Sequence, residues 1–212
     1  MKKYTVKEVY YTLQGEGAMS GRPTVICRFS GCNLWSGRDK DRESAICNFC
    51  DTDFVGTDGP NGGIYTAEQL VSVVVQCWHG EPILNHAYVV CTGGEPLLQL
   101  DPALLDEFHA RGLKVGLETN GTLPCPPGID WICVSPKNNS RWLLRKGNEL
   151  KLIFPQPELS PEQFLSWDFE HFYLQPMDGP DLEANIQKSM VYCLENPKWK
   201  LSLQIHKLIG LP

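Results

Sequence analysis

Apolar residues come in short runs along this chain, separated by polar stretches rich in glycine, proline, aspartate and asparagine. The runs Thr5–Tyr11, Thr24–Phe29, Ala87–Cys91, Lys114–Glu118, Trp131–Val134, Leu150–Phe154 and Phe172–Gln175 predict strands. Their centres hold Val, Ile, Leu and aromatics, as strands covered on both faces do. Helix signals fall between them. Thr66-Ala67-Glu68-Gln69 is a capping box ahead of Leu70–Trp78, in which a hydroxyl and an amide satisfy each other's backbone donors. Asp101-Pro102 supplies an N-cap and a first-turn proline for Ala103–Arg111, and Gly112 stops it. A third helix runs from Asp181 to Leu194 and ends at Asn196-Pro197; Pro155–Pro161 reads as a turn and Pro161–Trp167 as a short helical piece. Strands alternating with helices predict a parallel α/β sheet. The helices are fewer than the strands, so the expected fold is a partial, open TIM-like barrel of about six parallel strands, a single domain over residues 1–212.

One stretch breaks the alternation. Residues 31–65 form a long polar segment between the second and third strands, and a loop of that length inside a compact domain is usually functional. It carries Cys32, Cys47 and Cys50, with fourteen residues between the first two and two between the last two. Three thiolates can hold three irons of a cubic 4Fe–4S cluster and leave the fourth iron open to a substrate. Cys27 lies four residues before Cys32, so a four-cysteine structural zinc site competes with that reading. The alternation in Thr24-Val25-Ile26-Cys27-Arg28-Phe29 favours the cluster, because it places Cys27 on one face with Val25 and Phe29, as a small buried apolar residue. Arg28 then points to the other face.

Composition narrows the class. A net charge of −6 over 212 residues gives no footprint for binding a nucleic-acid backbone. Nothing after Met1-Lys2-Lys3 resembles the apolar core of a signal peptide, and the apolar stretches, such as that around Val71 to Val75, are too short for a membrane span. Nine cysteines, an odd count, predict a reducing cytoplasm rather than a disulfide framework.

Polar groups recur where the predicted strands end, which is where parallel barrels keep their chemistry. They are Thr92-Gly93-Gly94-Glu95-Pro96, Glu118-Thr119-Asn120-Gly121, Ser135-Pro136-Lys137 and Gln175-Pro176-Met177-Asp178. Glycines at such a point let backbone come close to a ligand. No phosphate-loop or dinucleotide fingerprint is present.

These residues together resemble the radical S-adenosylmethionine (SAM) enzymes: cysteines after the first barrel strand, then Gly-Gly-Glu-Pro. The usual C-x3-C-x2-C is enlarged here to C-x14-C-x2-C. That spacing, with Leu13-Gln14-Gly15-Glu16-Gly17, Cys50-Asp51-Thr52 and the tail Gln204-Ile205-His206-Lys207 to Pro212, is similar to one family among them, the 7-carboxy-7-deazaguanine synthases of queuosine biosynthesis. The resemblance implies that Cys32, Cys47 and Cys50 hold a 4Fe–4S cluster whose open iron is chelated by SAM. It implies that reductive cleavage yields a 5′-deoxyadenosyl radical, and that this radical takes hydrogen from C6 of 6-carboxy-5,6,7,8-tetrahydropterin. Ring contraction, loss of ammonia and recovery of SAM follow.

Position by position, the resemblance assigns Gly94, Ser135, Pro136, Lys137, Gln175, Pro176, Met177 and Asp178 to SAM, with Glu118 toward its ribose or the substrate. It assigns Leu13, Gln14, Gly15, Arg28, Thr92, His206 and the terminal carboxylate of Pro212 to the pterin, within a substrate-contacting tail at about 200–212. Thr52 corresponds to the family's magnesium ligand, Mg2+ being a further expected cofactor; no side chain is assigned as a catalytic acid or base. A flavodoxin-type reductant and a homodimer are further implied. The rivals are a glycyl-radical activating enzyme, a zinc-stabilised binding module and a simple iron–sulfur electron carrier. The last two leave the strand-end motifs unexplained, and the Leu-Gln-Gly-Glu-Gly opening favours a small substrate over the first.

Overall fold

The computed structural model describes residues 2–78 and 86–211. Its strands are β1 (Tyr4–Leu13), β2 (Pro23–Phe29), β3 (Gly63–Tyr65), β4 (Tyr88–Gly93), β5 (Lys114–Thr119), β6 (Trp131–Val134), β7 (Lys146–Phe154), β8 (Asp168–Pro176) and β9 (Trp199–Leu201). They form one sheet in the order β3-β1-β2-β4-β5-β6-β7-β8-β9, with edges at β3 and β9. The parallel run is β2 and β4 to β8, with the three-residue β9 as a short addition.

β1 departs from the parallel expectation and pairs antiparallel with β2. The reason lies in the connection. Gln14 N donates to Arg22 O and Gly21 N to Gln14 O, both at 2.8 Å, closing a hairpin too short for the crossover that a parallel neighbour needs. The long loop ends in β3, which adds to the outer side of β1.

Helices α1 (Ala67–Cys77), α2 (Pro102–Ala110), α3 (Leu182–Glu195) and α4 (Ile205–Ile209) complete the fold. The Thr66–Gln69 capping box forms as expected, and Asp101 caps α2 through Leu104 N. Strand alternation sorts the side chains. Val25, Cys27 and Phe29 of β2, Val89 and Cys91 of β4, and Val115 and Leu117 of β5 face outward and pack with Leu70, Val71, Val74, Leu104, Leu105 and Phe108 of α1 and α2. The second half has an aromatic core. Leu150 and Leu152 of β7 and Phe172 and Leu174 of β8 meet Phe164, Phe169 and Trp199, with Phe164 from the 3-10 turn Pro161–Phe164. The residues between these positions point the other way, into the hollow of the sheet.

Candidate active site

That hollow is a cavity of about 410 Å³ at the C-terminal ends of the parallel strands, a size typical of small-molecule sites. The 31–65 segment (the cluster loop of the resemblance above), the turn after β1 and the tail wall it.

The approach of β4 to the cluster loop depends on two glycines. Gly93 has φ +136°, and a Cβ there would overlap the Phe29 backbone; one on Gly94 would overlap Gly31 O and Cys32 Cβ. Both line the cavity, and their missing side chains also admit the chain's own backbone. Gly94 N donates to Phe29 O at 3.3 Å and Glu95 N to Gly31 O at 2.9 Å, which sets Cys32 at the cavity wall. Glu95 is fully buried and accepts from Leu97 N (3.0 Å), Thr119 Oγ1 (2.8 Å) and Asn120 N (2.9 Å). It ties the end of β4 to the end of β5. Burial pushes its carboxyl up, against those donors.

Cys32, Cys47 and Cys50 all line the cavity. The Cys47 thiol donates to Cys50 and holds it down to about 6, while Cys47 itself is pushed up by Cys50 and by burial. Lys137 lowers both, and Leu34 N donates to Cys32 Sγ at 3.4 Å. Burial raises Cys32 as well, so Cys50 alone of the three is held toward the thiolate. Three thiols on one cavity wall, two of them beside Lys137, are nonetheless the donor set that a three-cysteine cluster would use. Cys27, the fourth cysteine of the zinc alternative, lies fully buried in the aliphatic core on the outer face. Among the described residues no three Cys, His, Asp or Glu side chains converge on a point suited to a single metal ion.

Thr52, Gly94, Glu118, Ser135, Lys137, Gln175, Pro176, Met177 and Asp178 also line the cavity, as do Leu13, Gln14, Gly15, Arg28, Thr92 and His206. Pro136 does not; it is buried behind the wall, its carbonyl accepting from Gln156 Nε2 at 3.2 Å. Pro212 lies outside the described residues. Arg28 Nε donates to Glu8 Oε1 at 2.7 Å and its Nη2 to Tyr10 OH at 3.2 Å. Two of its five donors are thereby used.

A charged group beneath the rim escaped the motif search. Lys151 of β7 is almost fully buried and donates to Glu16 Oε2 (2.6 Å) and Glu118 Oε1 (3.1 Å). Gln14 Nε2 and Thr92 Oγ1 also donate to Glu118, each at 3.2 Å. Burial opposes the charge on Lys151, but Glu118 and Glu16 outweigh it and hold its ammonium well above the usual range. Glu16 is held below the carboxylate range, Lys151 overcoming its burial. Glu149 goes the other way: burial raises it, and Ala18 N donates to it at 3.1 Å. The charge alternation Glu149-Leu150-Lys151-Leu152 is the signal that could have revealed this group.

The tail closes the cavity. Ile205 N donates to Gly15 O at 3.0 Å, and the His206 ring packs so closely on Gly15 that any Cβ there would overlap it. Gln204 Nε2 bridges Glu16 (3.0 Å) and Asp51 (3.1 Å), and Lys207 Nζ bridges Asp51 (2.8 Å) and Asp178 (2.6 Å). Tail, cluster loop and β8 are thus joined at the rim.

A mostly parallel α/β sheet with three cysteines at its rim and a glycine contact between β4 and the 31–65 loop is the arrangement expected of a radical SAM enzyme core. No family model matches the chain. It is 58% identical over 210 residues to the 7-carboxy-7-deazaguanine synthase of Caulobacter vibrioides, covering 99% of each chain, and equally to that of Bordetella pertussis. It also resembles the crystal structure of QueE from Escherichia coli, with a TM-score of 0.66 and 25% identity over 96% of this chain and 95% of that one. The chain belongs to the 7-carboxy-7-deazaguanine synthase family.

Proposed function

We propose that this chain converts 6-carboxy-5,6,7,8-tetrahydropterin to 7-carboxy-7-deazaguanine with release of ammonia, a carbon–nitrogen lyase reaction of 7-deazapurine biosynthesis. The observation that carries the reading is the meeting of three cysteines and the strand-end motifs in one cavity, within a chain 58% identical to synthases along its whole length. The cluster and SAM, when bound, supply the carbon radical that starts the reaction. Cys32, Cys47 and Cys50 are the residues that would hold the cluster. Gly94, Ser135, Lys137 and the Gln175–Asp178 segment form the wall assigned to SAM, and Glu118 stands between that wall and the substrate side.

On the substrate side, the unused guanidinium donors of Arg28 suit the pterin carboxylate. Gln14, Thr92, Glu118 and Lys151 form a network of donors and acceptors matched to a polar heterocycle. The tail lies over the rim and excludes water from a reactive intermediate; it also favours a small substrate over the protein substrate of an activating enzyme. Magnesium fits at Thr52 only with oxygens from elsewhere, because the flanking Asp53 is engaged by Lys7 and Asp51 by Lys207 and Gln204. Substrate oxygens and waters complete such a shell. A flavodoxin-type reductant, a homodimer and a cytoplasmic location complete the proposal. Among the described residues no helix is long and apolar enough to cross a membrane.

The test is anaerobic. The protein is reconstituted with iron and sulfide, reduced, and given SAM, Mg2+ and C6-deuterated 6-carboxytetrahydropterin, with products read by mass spectrometry. The expected result is 7-carboxy-7-deazaguanine, with deuterium passing through the deoxyadenosyl methyl. Cleavage of SAM without consumption of the pterin would overturn the substrate assignment.

A further inference from the structure

The insertion that enlarges the cysteine spacing has an internal architecture of its own. Trp35 is buried; its ring meets Phe54 edge-on at 5.6 Å and its Nε1 donates to Arg38 O at 3.3 Å. Ser36 Oγ donates to Asp41 at 2.6 Å. Ile46 N and Cys47 N both donate to Leu34 O, at 3.1 and 3.4 Å, pinching the two ends of the insertion together. The segment between is folded back by one side chain, Arg42.

The Arg42 guanidinium stacks over the Trp35 ring at 4.1 Å. Its Nη1 donates to Asn48 O at 3.0 Å and to Cys50 O at 3.1 Å. Nε and Nη2 donate to Asp39 Oδ1 at 3.4 and 3.3 Å, fixing the plane from the opposite edge. One planar cation thus reaches from the insertion onto the turn that joins Cys47 to Cys50, capping two of its carbonyls. Only a guanidinium has the geometry to stack and fork at once; an ammonium cannot.

We propose that Arg42 is a positioning residue for the cluster. It holds the Cys47–Cys50 turn in its ligating shape and sets a fixed positive charge against that turn. This rests on the family reading above, which makes Cys47 and Cys50 cluster ligands. The short superfamily loop has no room for such a device, so the fourteen residues between Cys32 and Cys47 become a clamp built around the turn. Partners that orient metal ligands in this way typically change affinity by about 10- to 100-fold when removed.

The experiment compares wild-type protein, Arg42→Lys, Arg42→Gln and, as a control on the same loop, the exposed Arg38→Gln. Three quantities are read: iron per chain after reconstitution, the rate of iron loss to a chelator, and the midpoint potential of the cluster from its electron paramagnetic resonance signal. Thermal unfolding of the apoproteins checks that each variant folds; Arg42 is partly exposed, and both variants are expected to keep the fold. In the expected result, both Arg42 variants lose iron at least roughly tenfold faster than wild type. Arg42→Gln also lowers the potential, by about 59 mV for each tenfold shift in the one-electron equilibrium, and Arg42→Lys retains it. Arg38→Gln behaves as wild type. Folded Arg42 variants that load, retain and reduce the cluster as wild type does would overturn the proposal. If wild-type protein takes up no cluster, the assignment of Cys47 and Cys50 as cluster ligands fails, and the proposal with it.

Discussion

Each parallel strand of this sheet carries two chemistries on its two faces. Outward, β2 presents Val25, Cys27 and Phe29, β4 presents Val89 and Cys91, and β7 presents Leu150 and Leu152, all in closed cores. Inward, the intervening positions are Arg28, Thr92, Glu118, Cys133 and Lys151, all on the cavity wall. The residue types overlap: cysteines occur on both sides. Burial alone does not separate them either, since Lys151 is as enclosed as many core residues. The difference lies in what each group is given to pair with. Cys27 and Cys91 are pushed far up by burial among apolar neighbours, which makes them inert. Cys50 has a thiol donor and a lysine beside it and is held near 6, whereas Cys32, Cys47 and Cys133 on the same wall are raised as the outward cysteines are.

The cysteines offer the largest break between the faces. Replacing Cys32, Cys47 or Cys50 by Ala is expected to abolish turnover and to leave less than a full complement of iron. Replacing Cys27 by Ala is expected to cost about 1 kcal/mol of stability and to leave iron per chain and turnover unchanged. Iron analysis beside thermal unfolding reads both effects. Loss of iron from Cys27→Ala would revive a four-cysteine site.

Next in size is the contrast within β7. Leu152→Ala removes outward packing and is expected to cost about 2–5 kcal/mol at any pH. Lys151→Met keeps much of the volume but takes from Glu16 and Glu118 the cation they share, for about 3–5 kcal/mol. The pH dependence separates them. Without Lys151, Glu16 keeps its burial but loses the cation that holds it below the carboxylate range, so the penalty is full at neutral pH and fades as falling pH lets Glu16 protonate. Denaturant melts at pH 7.5 and 5 check this; a Lys151→Met deficit that ignores pH would show that the ion pairs contribute little.

Most of the scaffold was legible because local rules and tertiary structure agree there. The apolar runs became β2 and β4 to β8, and the caps at Thr66 and Asp101 form with the partners their spacing implied. What stayed hidden depends on partners distant in sequence. β3 and β9 have three residues each and exist because a neighbouring edge accepts them. The direction of β1 follows from a hairpin closure that its own residues do not announce. Lys151 was absorbed into an apolar strand, although its alternation with Leu150 and Leu152 was present. The missing Cβ of Gly94 also admits Gly31 and Cys32, a packing role that its motif does not announce. Most residues of the cavity wall were visible as motifs; the network that fixes them was not.

The smaller tests concern the tail, where the inward face meets solvent. Gly15→Ala would drive the His206 ring away. It is expected to raise KM about tenfold, equivalent to 1.4 kcal/mol, with kcat less affected, and to speed hydrogen exchange across residues 204–209. Unchanged exchange there would mean that the tail docks without that contact. The least effect belongs to Lys207, which joins Asp51 to Asp178 with all three side chains about a third exposed. Its ammonium is raised, Asp178 and Asp51 overcoming its burial, so the bridges persist through neutral pH and respond to salt instead. Lys207→Met is expected to cost at most about 1 kcal/mol and to remove most of the salt dependence of tail exchange. Wild-type exchange at 0.5 M salt should then approach that of the variant, because screening weakens exposed pairs far more than enclosed ones such as Lys151. A tail whose exchange ignores salt would move Lys207 from the solvent side of the comparison to the buried one.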